Sequence, residues 1–276
     1  MILGSNLHTH TTFCDGANSA EEMVLSAIKA GCHTLGFSGH SYIEGEASSD
    51  WVMSREGQKT YVEEITRLKR VYSDRINILL GIEQDYYSEP LTENFDYIIG
   101  SVHAVVVKGN RIDVDSSHDA LSDGIQKFYG GNAMAFVKDY YALVADVVNK
   151  TKCDIIGHFD LITKFNEKHR IFDVQSDEYK KIAFEALDAL IPENKLFEIN
   201  TGAISRGWRT TLYPEGFILK RMAERGAEVI ITSDCHNKDN ITFYFDEAVE
   251  YAKAFGIKTL NIYKGKNIEK ILIREE

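Results

Sequence analysis

Short apolar runs in this chain end, again and again, on a residue able to bind a divalent metal. The runs 2–7, 34–38, 76–82, 97–102, 154–157 and 228–233 stop at His8, His40, Glu83, His103, His158 and Asp234. Short apolar runs bounded by polar loops read as buried strands. His10 follows His8 at i+2 and His236 follows Asp234 at i+2, so in extended backbone both members of each pair project to the same side. Strands that carry such residues at their carboxyl ends suit a parallel barrel, where all those ends open on one face and build the active site.

With Asp15 the set holds nine donors: His8, His10, Asp15, His40, Glu83, His103, His158, Asp234 and His236. At roughly four ligands per zinc-like centre, some of them bridging, nine donors predict two or three divalent ions. Imidazole and carboxylate ligands suit zinc, manganese and iron alike. A carboxylate can bridge two cations with its two oxygens, which makes Glu83 the expected bridge and Asp85 its competitor. The set takes six of the nine histidines. His33, His118 and His169 have no strand-end placement and read as surface or structural residues.

Helical signals fall between the runs. Ser19-Ala-Glu-Glu22 is a capping box ahead of an apolar stripe that ends at Gly31. Amphipathic or apolar patterns predict helices at about 56–72, 133–149, 176–190, 214–225 and 243–255. Further strands are expected at 195–199 and 258–263, and a Gly/Ser/Asp-rich loop follows His40. Seven strands and an eighth candidate alternate with helices, so the expected fold is α/β, a barrel-like βα alternation without internal repeats. A hairpin turn at Lys108-Gly109-Asn110 and a polar stretch over 113–131 predict an insertion at about 104–132, either a lid or specificity element over the site or a plain surface excursion.

At 276 residues the chain matches the roughly 250 residues of a one-domain barrel. The expected organisation is one domain over 1–276. Hydrophobic residues at 44% and charged residues at 26% exclude a disordered class. A formal charge of −11 disfavours long nucleic acid as a partner, since polyphosphate binding needs a basic surface. It leaves room for a small phosphorylated substrate, because bound cations invert the local field an anion meets. A metal-type residue at position 8 and the lack of a membrane-spanning apolar run lead to the expectation of a cytoplasmic protein with no membrane contact. Cys14, Cys32, Cys153 and Cys235 form no CxxC pair and read as free thiols. No motif specifies an oligomeric state.

The segment 198–209 follows a strand and carries Arg206 and Arg209, whose guanidinium groups suit bidentate contact with phosphate. Arg206 is the first choice for an anion-binding residue. Asp160, Tyr42 and Trp208 are candidates for the organic part of a substrate.

Taken in order, His8-x-His10 with Asp15, Gly39-His40, Glu83, Ser101-Val-His103, Gly157-His158 and Ser233-Asp-Cys-His236 resemble the polymerase and histidinol phosphatase (PHP) superfamily from end to end. The opening His-Thr-His-Thr-Thr-Phe-Cys-Asp-Gly, Gly-His-Phe-Asp160 and Glu198-Ile-Asn-Thr-Gly look most like its monofunctional histidinol-phosphate phosphatases. That resemblance implies a distorted TIM-like (β/α)7 barrel with a trinuclear metal site. By motif order His8, His10, Glu83 and Asp234 would hold one metal. Glu83 would bridge to a second held by His103 and His158, and Asp15, His40 and His236 would hold the third. Many relatives carry Asp-His where this chain has Gly39-His40. The implied reaction is hydrolysis of L-histidinol phosphate without a covalent intermediate. Arg206 would neutralise the phosphoryl group, and Asp15, His236 or a water would protonate the leaving alcohol. The rival readings are a PHP phosphoesterase acting on nucleotides or oligonucleotide ends, and a non-catalytic polymerase-accessory metal-binding module.

Overall fold

Strand and helix alternate in a computed structural model that describes residues 3–45 and 51–273. Ile2 of the first run and residues 46–50 of the Gly/Ser/Asp-rich loop after His40 lie outside the described residues. The first half contains β1 (Ser5–Asn6), α1 (Ala20–Lys29), β2 (Thr34–Phe37), α2 (Arg55–Val71), β3 (Asn77–Asp85) and β4 (Tyr97–Ser101). A hairpin of β5 (Ala104–Val107) and β6 (Asn110–Asp113) follows, then α3 (His118–Tyr129) and α4 (Ala133–Thr151). The second half runs β7 (Ile155–Ile156), α5 (Asp177–Leu190), β8 (Leu196–Asn200), α6 (Gly202–Ser205), α7 (Gly216–Arg225) and β9 (Glu228–Thr232). It ends with α8 (Phe245–Ala254), β10 (Thr259–Lys264) and β11 (Asn267–Leu272).

The main sheet has the order β1-β2-β3-β4-β7-β8-β9-β10-β11, and every pair is parallel except β10 with β11. It curls until the chain beyond β1 meets the chain beyond β9. His10 N donates to Cys235 O at 3.0 Å and Cys235 N donates to His8 O at 3.2 Å. At the opposite end β10 takes the gap, paired to β9 through Asn261 and Ile230 and bonded to β1 where Tyr263 N donates to Ser5 Oγ at 3.4 Å. The result is the seven-strand distorted α/β barrel, with β10 wedged at its amino-terminal end.

Side chains fill the space inside the curl. Leu7, Leu79, Ile99, Ile155, Leu196 and Ile230, from most of the parallel strands, form one buried cluster around Tyr97. Removing each from water contributes about 2 kcal/mol. The Tyr97 hydroxyl donates to Leu7 O at 2.5 Å and to Phe37 O at 3.0 Å. Gly81 makes room for the ring, for a Cβ there would sit 2.2 Å from Tyr97 Cζ. This packed floor leaves only the carboxyl end of the barrel open to chemistry. Helices cover the outer face: α1 through Met23, Val24 and Ala27, and α2 through Tyr61, Ile65 and Leu68.

Besides the short α6, two elements were not expected from the sequence. The polar stretch 113–131 holds α3, capped by Ser117, whose hydroxyl accepts from Ala120 N at 3.1 Å, and closed by Gly130 in the left-handed region. Its buried stripe is only Leu121 and Ile125, too narrow to stand out from the polar residues around it. β11 adds antiparallel to β10 and is largely exposed, so it lacks the apolar run that marks the inner strands. Among the described residues no helix is long and apolar enough to cross a membrane.

Candidate metal centre

All nine donors converge at the open end of the barrel, and Glu83 stands at their centre. Its two oxygens face different partners. Oε2 lies 3.2 Å from His8 Nε2, 3.5 Å from His10 Nε2 and 3.0 Å from His40 Nδ1. Oε1 lies 3.4 Å from His103 Nε2 and 3.0 Å from His158 Nε2, and accepts a hydrogen bond from Ser101 Oγ at 2.6 Å. Asp234 Oδ1 completes the first side, 3.6 Å from His8 Nε2 and 3.3 Å from His10 Nε2. On the outer side His236 Nε2 and His40 Nε2 lie 3.1 Å and 3.8 Å from Asp15 Oδ2. His40 therefore spans two groups, with one nitrogen toward Glu83 and the other toward Asp15.

The ligand-type atoms gather into three groups, His8 with His10 and Asp234, His40 with Glu83 and His103, and His10 with Asp15, His40 and His236, each within 4.8 Å. Four atoms pointing into this space are buried and have no hydrogen-bond partner: His8 Nε2, His10 Nε2, His40 Nδ1 and Glu83 Oε2. Leaving such atoms unpaired costs about 1–3 kcal/mol each. Divalent cations among them would satisfy all four, and the donor set fits such ions.

The backs of the rings are held too. Glu198 Oε1 is 2.5 Å from His8 Nδ1, and its Oε2 accepts from His158 N at 2.7 Å. Asp85 Oδ2 takes His103 Nδ1 at 3.0 Å and the His103 amide at 3.1 Å. Carboxylates behind imidazoles set the tautomer and aim the other nitrogen at a metal. Asp85 thus lies behind a ring and not between the groups, which leaves the bridging position to Glu83. For Asp85 the available signal was its i+2 spacing from Glu83, and for Glu198 its place in the Glu198-Ile-Asn-Thr-Gly segment at the end of β8. At position 39 the chain has no side chain, and Cys14 Sγ occupies that space, 3.3 Å from where a Cβ would sit and 3.5 Å from His10 Nδ1.

Asp234 takes φ of 45°, in the left-handed region where Asp is tolerated better than most residues. This bend follows β9 and turns the carboxylate toward His8 and His10. Arg206 closes the wall there: Nη2 donates to Asp234 Oδ2 at 3.0 Å, and Nη1 donates to Asp234 O at 3.0 Å and lies 2.6 Å from His236 Nδ1. Gly202 allows the approach, since a Cβ there would meet Asp234 Oδ2 at 2.9 Å and Arg206 Nη2 at 3.1 Å.

Electrostatically the cluster is a trap for cations. Burial would raise the Glu83 carboxyl, but His40, His8 and His103 hold it well below the usual range. Burial opposes protonation of His8 and His103, yet Glu198, Asp234 and Glu83 hold His8 well above an ordinary imidazole, and Glu83 and Asp85 lift His103 to about 10. His236 goes the other way, pushed down to about 4 by burial, His10 and Arg206. Positive charge at the inner imidazoles offsets the buried carboxylates, a part that divalent ions would take over.

A pocket of about 120 Å³ opens over this cluster, with Arg206, Asp115 and Lys164 in its wall beside the donors. Asp115 and Lys164 were not singled out in the sequence. Lys164 Nζ donates to Asp115 O at 2.8 Å and lies 3.4 Å from Asp115 Oδ2. Four expected substrate contacts, Arg209, Asp160, Tyr42 and Trp208, do not line this pocket. Arg209 is 3% exposed, and its guanidinium donates to Thr163, Glu215 and, at 2.7 Å, Thr211, so its donors are spent on joining loops. Asp160 begins a 3-10 turn with φ of −119° and ψ of 38°, which breaks the extended backbone that would have aimed it beside His158. It is fully buried, its Oδ2 accepts from Glu215 N at 2.8 Å, and burial lifts its carboxyl to about 7. Tyr42 lies in a separate groove under Arg55, 4.4 Å from its ring centre. Trp208 lines an adjoining cavity with His118 and His169, not the metal pocket.

The barrel and its strand-end cluster define a PHP-type α/β fold, and the chain belongs to the PHP domain family, whose pattern matches residues 6–202. It is 30% identical over 278 residues to the probable histidinol-phosphatase of Schizosaccharomyces pombe, covering 94% of this chain and 89% of that protein. It is 28% identical to the probable histidinol-phosphatase of Deinococcus radiodurans, covering 92% and 94%. Among solved structures, histidinol phosphate phosphatase from Lactococcus lactis in complex with zinc, L-histidinol and phosphate matches with a TM-score of 0.71 at 23% identity, covering 96% and 98%. The putative histidinol phosphatase from Listeria monocytogenes matches with a TM-score of 0.77 at 22% identity, covering 88% and 99%.

Proposed function

We infer that this protein is a metal-dependent phosphomonoesterase that hydrolyses L-histidinol phosphate to L-histidinol and phosphate. The observation that carries the reaction class is the Glu83 carboxylate, whose two oxygens face separate sets of imidazoles in a buried pocket. The substrate follows from the histidinol-phosphatases that the chain matches along almost its whole length.

In this reading His8, His10, Glu83 and Asp234 hold one divalent ion, and Glu83, His103 and His158 a second. Asp15, His40 and His236 hold a third. Zinc, the ion in the Lactococcus structure, fits the donor set, as do manganese and iron. When bound, the ions supply positive charge to the phosphoryl oxygens and make water more acidic.

The chain's own residues do the rest. Glu198 and Asp85 fix the rings of His8 and His103, so the donors need not reorganise when substrate enters. Arg206 and Lys164 add fixed positive charge to the pocket wall, where charge on the phosphoryl group grows as the ester bond breaks. The floor around Tyr97 closes the barrel below and keeps bulk water to one side. Asp15 and His236, at the outer edge, are committed to the third ion in this reading, so water there gives the leaving alcohol its proton.

The test is phosphate release by protein reconstituted separately with zinc, manganese and iron, offered L-histidinol phosphate beside a nucleoside monophosphate and an aryl phosphate. Preference for L-histidinol phosphate that is lost in His8→Ala and Asp234→Ala supports the reading. Equal or faster turnover of the nucleotide moves the assignment to a nucleotide phosphoesterase, and no turnover with ions bound removes the catalytic reading altogether.

A further inference from the structure

Carboxylates behind the rings aim two of the histidine donors, Glu198 for His8 and Asp85 for His103. His40 cannot be held in that way. Its Nδ1 faces Glu83 and its Nε2 faces Asp15, so both nitrogens are turned to the donors and only the carbon edge and the faces of the ring are left to be gripped. The torsion that turns an imidazole about its Cβ–Cγ bond is broad, so the side chain does not fix that angle by itself. His10, His103 and His236 pack around His40 with centroids 4.5, 5.1 and 6.4 Å away, and all three are donors themselves. Trp51 is not a donor. Its indole meets His40 edge to face, 5.0 Å between centroids at 75°, and also touches His103 at 5.6 Å.

The half-buried Trp51 is itself anchored on two sides. Met53, two residues further on, is fully buried, and its N donates to His40 O at 3.2 Å. Ser54 then caps α2, its hydroxyl accepting from Gly57 N at 3.0 Å. From the other side Arg111, on β6 of the hairpin, lies over the indole with its guanidinium carbon 5.4 Å from the ring centre, while its Nε donates to Asp113 Oδ1 at 2.7 Å. A cation over an indole face is attracted to it, so the hairpin holds the ring against His40 and His103. We propose that Trp51 is a positioning residue of the metal centre, which keeps His40 at the angle where one imidazole serves both the Glu83 side and the Asp15 side. This inference rests on the metal-dependent part of the function proposed above. His8, His10 and Asp234 form a group of their own without His40, so an ion held there is indifferent to Trp51, and the ion held by Asp15, His40 and His236 is not.

Chelator titration of zinc-loaded protein, with the metal retained at each step measured by elemental analysis, tests this. Trp51→Ala is expected to give up one equivalent at about ten- to a hundredfold lower chelator concentration, the scale for losing a partner that orients a ligating histidine. The rest of the metal is expected to leave as in the wild type, and Trp51→Phe, which keeps an aromatic edge, to restore most of the lost affinity. Release of all equivalents together, release unchanged from the wild type, or a Trp51→Phe protein no better than Trp51→Ala overturns the positioning role, provided that far-UV circular dichroism shows native folding. A second measurement does not need the alanine variant to fold. The chain has two tryptophans, so in Trp208→Phe protein Trp51 is the one emitter, and manganese, an open-shell ion, is expected to quench it as the equivalent at His40 binds. Emission that stays constant through full manganese loading overturns the inference. A wild type that takes up no divalent ion overturns the proposed function instead.

Discussion

Glu198 Oε1 stands 2.5 Å from His8 Nδ1, on the side of the ring opposite Nε2, which faces Glu83. The same carboxylate accepts from His158 N through its other oxygen, so a single buried side chain on β8 sets a ring just beyond β1 and a backbone turn after β7. Losing a carboxylate behind a ligating histidine costs roughly 10- to 100-fold in metal affinity. Glu198→Gln is therefore expected to release metal at a correspondingly lower chelator concentration while far-UV circular dichroism stays native. Unchanged affinity would show that the ring is held by packing and not by the carboxylate.

Glu83 and Asp85 sit two residues apart on β3 but differ in what they touch. Glu83 faces five imidazoles, and Asp85 takes the back of a single ring, His103, together with the His103 and Tyr87 amides. An amide has a single acceptor oxygen and cannot span two groups of donors. Glu83→Gln should thus lose at least one equivalent of bound metal and about a hundredfold or more in kcat, a loss on the scale of removing one strong electrostatic contact to the transition state. Asp85→Asn should cost about tenfold. Metal content by elemental analysis beside steady-state rates decides the ranking, and equal losses would show that Glu83 is no bridge.

The donors were legible because a strand end is a repeated position: an apolar run stops, and the next residues face the opening whatever the fold's irregularities. His8, His40, Glu83, His103, His158 and Asp234 all share that signature. The residues of the pocket wall beyond the donors were less legible, because they depend on where irregular loops turn. Arg209 reads like Arg206 in the sequence, yet the loop carries it to Glu215 and Thr211 while Arg206 reaches Asp234. Asp160 loses its place to a turn that starts at that residue. Asp115 and His118 lie in a polar stretch whose single narrow helix gives no pattern from which a cavity can be read. The carboxylates behind the rings were visible only as residues near the donors, since second partners are chosen by distance in space.

Gly202 separates a packing requirement from a chemical one. It donates nothing to the pocket, but a Cβ there would come within 2.9 Å of both Cβ and Oδ2 of Asp234 and 3.1 Å of Arg206 Nη2. The Asp234 backbone already sits in a sparsely used region and has little freedom to yield. Gly202→Ala is expected to destabilise the protein by about 1–3 kcal/mol and to lower kcat/KM more than tenfold. Denaturant unfolding and kinetics on the same preparation measure both. A stability loss without a kinetic one would mean that both Asp234 and Arg206 keep their places and the strain is taken up elsewhere.

Far from the pocket, at the start of β4, Asp96 offers a stability test that metal does not enter. Lys69 and Lys266 both pair with its carboxylate, the latter at 2.6 Å, and Leu80 N donates to it at 2.8 Å. Burial would raise this carboxyl, but Lys266, Lys69 and the Leu80 amide outweigh it and hold the group below the ordinary value. A carboxyl whose pKa is lower folded than unfolded stabilises the fold fully above the unfolded value, about 3.9, and loses that contribution as pH falls through the folded value. Asp96→Asn keeps an acceptor for Leu80 N and removes the charge. It is expected to cost about 1–2 kcal/mol at pH 7, with the gap to the wild type unchanged down to about pH 5 and closing below pH 4. Urea unfolding of both proteins across that range measures it. A gap that persists at pH 3 would assign the loss to packing and not to the two ammonium partners.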